Sequence, residues 1–335
     1  MGLLLAGLWP FDFWRPNNVH WIDGSPGLRF DRYGIVHGKE PFFSPGGTID
    51  LSKPFTIRMD VRPTEEPSDS LPRILSVYDA DGRELFFVGQ WRSNLAVRIL
   101  EGERFSRLRY RETAAAGLQS DVTRTIAIRS DVDSLTIFVD GSPARTAHGV
   151  SFFLLPDKRE PAWISLGNSP NGKAPWHGEL RSLSFFSGAL SPWNIAVGPL
   201  PVVIYRFTEG TGTICRGSVD PRHGLVIPPV FRAPAKGILT PPWRIERCNL
   251  SFWKDVAVNI LGFIPFGFFV FACLSKGEKK VVPSITVVVV MLGAGISLSI
   301  ELLQVYLPTR DSSFMDFMNN ILGTYIGVWL FRKEQ

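Results

Sequence analysis

"DVAVNILGFIPFG" at residues 255–267 and "DFMNNILGTYIG" at residues 316–327 share one spacing: an aspartate, an asparagine four residues on, and a glycine three beyond that. The copies are Asp255, Asn259 and Gly262, then Asp316, Asn320 and Gly323. At about 3.6 residues per helical turn, an aspartate and an asparagine four apart lie on one face. The residues around them are apolar over bilayer-length runs. Crossing about 30 Å of hydrocarbon takes about 20 helical residues, with a lower limit of about 17. Residues 256–274 and 281–307 meet this, and the third run meets it once Phe314 to Asp316 are included. Buried soluble helices are the alternative, but three in succession, "FIPFGFFVFACL" and "ITVVVVMLGAGISLSI" among them, would overfill a small core. The expectation is an α-helical transmembrane bundle at 251–335, with helices at about 256–274, 281–307 and 314–331.

Asp316 follows Asp255 by 61 residues, room for one helix, a returning helix and two loops. Both copies of the motif therefore start on the same side of the membrane. The middle helix runs the other way, so Ser299, Glu301 and Gln304, near its end, arrive at the same depth. Arg310, in the loop "LPTRDSSFMD", can close over them as a cation. The predicted polar cluster is Asp255, Asn259, Glu301, Gln304, Arg310, Asp316 and Asn320. A charge inside a spanning helix costs about 2.5–3.5 kcal/mol, so it calls for a partner or a use. Three uses stay open: helix-to-helix glue, with Gly262, Gly267, Gly323 and Gly327 permitting close contact; a binding or catalytic pocket; or a proton or ion path. In the catalytic version Glu301 is the base, Arg310 the anion clamp and Asp316 the orienting residue, acting on a lipid-linked phosphate or sugar.

At these positions the sequence resembles the VanZ-like family, whose pattern is matched by Asp255, Asn259, Pro265 and Gly267, then Glu301 and Gln304, then Arg310, Asp316, Asn320, Gly323 and Gly327. The resemblance covers about residues 250–331. It implies a bacterial envelope membrane protein, the founding member being associated with low-level resistance to the glycopeptide teicoplanin. The family's first helix precedes the rest. Here "MGLLLAGLWPF" looks like the end of such a helix, and residues 1–12 are expected to be its remnant, the start lying upstream of Met1.

Lys276, Lys279, Lys280, Arg332 and Lys333 fall on one side of the predicted bundle, against Arg244, Arg247, Lys254 and Arg310 on the other. The first group is expected to be cytoplasmic, placing the N-terminal region outside the cell membrane. The net charge of +5 among 335 residues is explained by such flanks. No basic stripe or reading motif points to nucleic acid. Cys273 lies in a predicted helix, while Cys215 and Cys248 fall outside it and either pair or remain thiols.

Residues before the bundle alternate apolar and polar. In "PFTIRMDVRP" Phe55, Ile57, Met59 and Val61 share one face, and "RILSVYDADGRELFFVGQ", "NLAVRIL" and "RTIAIRSDVDSLTIFVDG" repeat the pattern between Gly, Asp and Pro. "DADG" and "FVDG" read as tight turns. Many short strands argue for an all-β antiparallel sandwich. "GLRFDRYGIV", "LTIFVDGSPARTA" and "WHGELRSLSFFSGALSP" resemble segments of the concanavalin-A-like, laminin-G-type jelly roll over about residues 18–195. The chain is thus expected to be multidomain, a jelly-roll sandwich followed by the helical bundle.

That fold serves lectins and glucanases alike, so function must come from residues. A glycosidase needs two flanking carboxylates; Glu101 with Glu103 and Asp131 with Asp133 are the available pairs. Asp79, Asp81 or Asp140 could meet calcium, but no dense acidic loop is present and no metal is expected. Trp91 and Trp176 are the candidate sugar platforms, core packing being the alternative for each. Residues 196–250, rich in Pro and Gly, read as an irregular stalk. P-loop, dinucleotide, "HExxH" and "CxxC" motifs are missing, and no cofactor is expected. The function anticipated is a cell-envelope protein with two partners: a glycan or envelope polymer at the β domain, and a membrane lipid or lipid-linked component at the bundle.

Overall fold

A computed structural model of the chain describes residues 2–45, 47, 49–67, 70–104, 107–155, 160–198, 200–217, 223–242, 250–275 and 283–334. Two compact units emerge: Trp14–Lys236, and Met1–Phe13 with Gly237–Gln335.

The first unit is built from β1 (Val19–Trp21), β2 (Leu28–Phe30), β3 (Val36–Gly38), β4 (Phe55–Pro63), β5 (Arg73–Tyr78), β6 (Glu84–Trp91), β7 (Asn94–Arg104) and β8 (Arg107–Ala116). It continues with β9 (Arg124–Ser130), β10 (Ser134–Val139), β11 (Ser142–His148), β12 (Trp163–Leu166), β13 (Gly178–Ser187), β14 (Val203–Tyr205), β15 (Ile214–Cys215) and β16 (Leu225–Val226). One sheet runs β1-β2-β13-β4-β9-β10-β11, with β14 also on β13, and the other β15-β16-β3-β12-β5-β6-β7-β8. This is the antiparallel sandwich that the period-two patterning predicts. Phe55, Ile57, Met59 and Val61 are buried, while Arg58, Asp60 and Arg62 between them are partly exposed. Between the sheets Phe43, Phe55, Phe86, Phe152 and Phe185 make an aromatic centre. At the "FVDG" turn Asp140 and Gly141 both have positive φ, 48° and 84°, as a two-residue hairpin turn between right-twisted strands requires.

The segment read as a stalk departs from expectation. β14 pairs with β13, and β16 pairs with β3 and carries β15 on its other side. Tyr205, Phe207, Cys215, Leu225 and Ile227 belong to the sandwich core. Residues up to Lys236 therefore complete the β unit instead of linking it to the helices. Burial pushes the Cys215 thiol up from its ordinary range. Its suggested partner, Cys248, lies outside the described residues.

The second unit contains α1 (Gly2–Gly7), while α2 (Pro192–Val197) belongs to the sandwich; then come α3 (Leu250–Leu274), α4 (Pro283–Gln304) and α5 (Phe314–Lys333). α3 and α4 are long and apolar enough to cross a membrane, at Phe252–Leu274 and Ser284–Gln304. Their apolar side chains are outside: Val258, Leu261, Phe269, Val287 and Met291 are all more than 60% exposed, which lipid and not water would tolerate. Trp253, Trp9 and Tyr306 are exposed toward one end and Trp329 toward the other, the places of interfacial aromatic belts. α4 stops at Gln304, short of the predicted Leu307, because Pro308 disfavours helical backbone in the residue before it. α5 has the length of a span, about 30 Å at 1.5 Å per residue, but it carries Asp316, Asn319, Asn320 and Thr324 and is less apolar than the other two. Lys276, Lys279, Lys280, Arg244 and Arg247, on which orientation was argued, lie outside the described residues.

Candidate functional site

Glycine sets the spacing of the three long helices. A Cβ added at Gly323 would overlap the Ile260 carbonyl oxygen and sit 3.0 Å from its carbon; one at Gly327 would be 2.7 Å from the Phe268 nitrogen. Gly267 meets the Thr324 backbone in the same way, with its α-carbon 3.0 Å from the added Cβ. Both contacts of α5 on α3 advance in the same direction along the two chains, so these helices are parallel and in backbone contact. This is the small-xxx-small packing of membrane helices. Gly262 is different: nothing lies within 4 Å of a Cβ there. Of the four glycines expected to permit close contact, three do.

α4 runs antiparallel to α5. Gly293 meets Thr324, and one turn on the Asn320 side-chain nitrogen donates to Ser297 Oγ at 2.9 Å. One further turn brings Glu301 within charge reach of Asp316. Of the two motif aspartates, Asp316 is the one whose charge acts on Glu301 at the end of α4. Asp316 accepts a hydrogen bond from the Asn259 side chain, and the charges of Asp255, Arg310 and Asp311 act on it. Ser313 caps α5, its hydroxyl accepting from the Asp316 amide at 3.4 Å.

Three cluster residues make other contacts. Glu301 is buried, and its Oε2 accepts from the Ser313 amide at 2.6 Å, which ties the end of α4 to the start of α5. The Gln304 amide donates to the Gly7 carbonyl at 2.9 Å, and Arg310 Nε donates to that of Trp9 at 3.1 Å, so both hold the N-terminal segment. Leu8, Phe263, Ile300 and Leu307 pack together there. Ser299 leaves the cluster: it is exposed, and its hydroxyl donates to Gly295 in its own helix. Ser297, Ser313 and Asn319 were not singled out from the sequence. Ser313 had a readable signal, a serine three residues before Asp316 at the head of an apolar run. Ser297 also had one, standing four residues before Glu301 and seven before Gln304 on the same helix face. Asn319 Nδ2 and Asn320 Oδ1 are buried without a hydrogen-bond partner among the described residues.

In the β unit, Trp176 is no sugar platform. It is 1% exposed, and its indole nitrogen donates to Gln90 Oε1 at 2.9 Å, leaving no ring face for a pyranose. Trp91 stays 40% exposed. Glu101 is held by Arg111 at 2.8 Å, which lowers its carboxyl below the ordinary range, and Glu103 lies among side chains outside the described set. Asp131 accepts from the Val132 amide in its own turn. Asp79 is buried on Arg83, and Asp140 accepts from Arg124 and from the Thr125 amide. Among the described residues no three His, Cys, Asp or Glu side chains are grouped to hold a metal.

Comparison with known proteins gives two family matches: VanZ/LLP1 over residues 223–333, and the concanavalin A-like lectin/glucanases superfamily over residues 40–196. The chain joins a concanavalin A-like β domain to a VanZ-like helical domain. Among solved structures, it is similar to the CBM40 of the Ruminococcus gnavus IT-sialidase, bound to α2,3-sialyllactose, at 16% identity, covering 52% of this chain and 97% of that one with a TM-score of 0.38. A putative carbohydrate-binding protein from Bacteroides ovatus is 12% identical over 60% of this chain and 57% of its own, with a TM-score of 0.42. A heptameric SAP-like pentraxin from Limulus polyphemus is 11% identical over 65% and 94%, with a TM-score of 0.41. A search of the curated proteins finds no match.

Proposed function

We propose that this chain is a cell-membrane protein that presents a glycan-binding sandwich on the extracytoplasmic side and holds the headgroup of a lipid-linked envelope component at the polar end of its helical unit. The observation that carries the reading is the pairing of an acid-rich cluster with the exposed Arg310 at that end. Asp255, Asp311, Asp316 and Glu301 supply acceptors, and Arg310 is exposed, with no ion pair within 4 Å among the described residues. Carboxylates accept sugar hydroxyls, and a guanidinium takes a phosphate in a fork of hydrogen bonds. A phosphate-linked sugar on a lipid offers both. The orientation rests on the positive-inside balance of Lys276, Lys279, Lys280, Arg332 and Lys333, and the VanZ-like domain extends the reading to lowered glycopeptide susceptibility, measured as teicoplanin tolerance on expression. Catalysis by Glu301 is less favoured, because its Oε2 is already engaged by a backbone amide. Native mass spectrometry of the full chain, purified from membranes, tests the reading. A phosphate-bearing lipid adduct is expected on the wild type and is lost in Arg310→Ala with the fold intact. An adduct-free protein, or one whose adducts ignore Arg310→Ala, would contradict it.

A further inference from the structure

The β unit has an open recess of about 440 Å³ lined by His20, Trp21, Ile22, Asp23, Arg29, Asp31 and Glu179. Its floor is one cross-strand row. His20 on β1 is opposite Arg29 on β2, and Arg29 is opposite Glu179 on β13. β1 and β2 precede the segment that matches the concanavalin A-like family. The recess is therefore made largely by residues that the family match does not reach.

Its chemistry is graded from rigid to free. Glu179 is 4% exposed and fixed from two sides, by Arg62 at 3.3 Å and Arg181 at 2.8 Å. Trp21 is packed against the sandwich core, and its indole nitrogen donates to the Gly212 carbonyl at 2.9 Å, so the ring is held before any ligand arrives. At the rim His20, Asp23 and Arg29 are exposed and Asp31 is half-buried. Among the described residues none of these four side chains makes an ion pair or a hydrogen bond, although Arg29, Asp23 and Asp31 line the same space. Opposite charges left uncommitted around one cavity are donors and acceptors for a third party. Of the acids in the lining Glu179 is already paired with Arg62 and Arg181, which leaves Asp23 and Asp31 beside Arg29, with no excess of cations to draw an anionic sugar. What fits is a small ring with an apolar face for the indole and several hydroxyls for carboxylates and guanidinium, within the 300–1,000 Å³ range usual for ligand pockets.

We infer that this recess is the glycan site of the β unit and takes a neutral pyranose, Trp21 stacking on the ring while Asp23, Asp31 and Arg29 bind its hydroxyls. The inference rests on the proposal above that the β unit binds glycan, and it places that binding away from Trp91.

The test is calorimetric titration of the full chain in detergent with neutral gluco-, galacto- and manno-oligosaccharides, with sialyllactose as the anionic arm and chitosan trisaccharide as the cationic arm. Saturable binding of a neutral oligosaccharide is expected. Asp31→Asn, Asp23→Asn and Trp21→Phe should each weaken it about tenfold, the size of one lost charge-assisted hydrogen bond or ring contact, at unchanged thermal melting. If Trp21→Phe perturbs the fold, the two rim aspartates decide. Neutral-sugar binding that is the same in every variant overturns the recess and leaves glycan binding standing elsewhere. Binding of the charged probes alone overturns the neutral assignment. Absence of binding to every probe overturns both this inference and the glycan reading beneath it.

Discussion

Replacing Gly323 by alanine puts a methyl group where α3 and α5 touch backbone to backbone. The added carbon would overlap the Ile260 carbonyl oxygen and lie 3.0 and 3.1 Å from the Ile260 carbonyl and α-carbons, both inside ordinary contact. Backbone cannot swing aside as a side chain can, so the helices must separate. Overpacking of this kind costs about 1–3 kcal/mol. Alanine's better helix propensity returns up to about 1 kcal/mol, leaving a net loss of up to about 2 kcal/mol. Gly262, at the matching position of the other motif copy, has open space around it. Gly262→Ala collects the propensity gain with no clash and should be neutral or slightly stabilising. Unfolding of the two variants in mixed micelles, titrated with a denaturing detergent, measures the difference. Equal effects at Gly262 and Gly323, or a larger loss at Gly262, would refute the parallel packing of α3 on α5.

Trp176→Ala should cost the β unit about 3–5 kcal/mol, as large-to-small core changes do, seen as a drop in the melting temperature of the sandwich. Glu301→Ala leaves the half-buried Ser313 amide without its acceptor and should cost about 1 kcal/mol, whereas Glu301→Gln keeps an acceptor and should cost less; thermal inactivation of the purified protein compares them. Burial and, secondarily, the Lys39 charge hold the His37 imidazole below its ordinary 6.5 against the Gly38 carbonyl, which favours the proton. The unfolded chain then binds more protons than the folded one below about pH 6.5. Sandwich stability should be full above that pH and fall as pH drops through it. Melting from pH 8 to pH 5 follows this, and His37→Gln should flatten the profile.

The spacing of the repeated motif made legible which helix faces Asp255 shares with Asn259 and Asp316 with Asn320, because helix periodicity fixes them. It could not say that Asn259 would serve Asp316 while Asn320 would serve Ser297. That offset is set by where glycine lets α3 and α5 touch, a tertiary fact. The strands of the sandwich were legible where alternation ran long, as in Phe55–Pro63. β14, β15 and β16, of three, two and two residues, are too short for any period to show and lie among Gly and Pro, so they read as a stalk. Trp176 stands in "GKAPWHGE", a turn-like string, and its burial comes from partners distant in sequence, the Phe30 ring and the buried Gln90. The recess at Trp21 and Asp31 was invisible for a different reason: most of its lining comes from the short stretch 20–31, whose three-residue strands show no period, and only the pairing of β2 with β13 brings Glu179 beside them.

The central claim is that side chains from separate helices meet at one end of the helical unit, and a double-mutant cycle between Asn259 and Asp316 addresses it most directly. Unfolding free energies of Asn259→Ala, Asp316→Ala and the double variant should give a coupling of about 0.6–1.7 kcal/mol, the range of polar contacts between membrane helices. A coupling indistinguishable from zero, with both single variants folded, would mean that these residues do not touch and that the cluster does not exist.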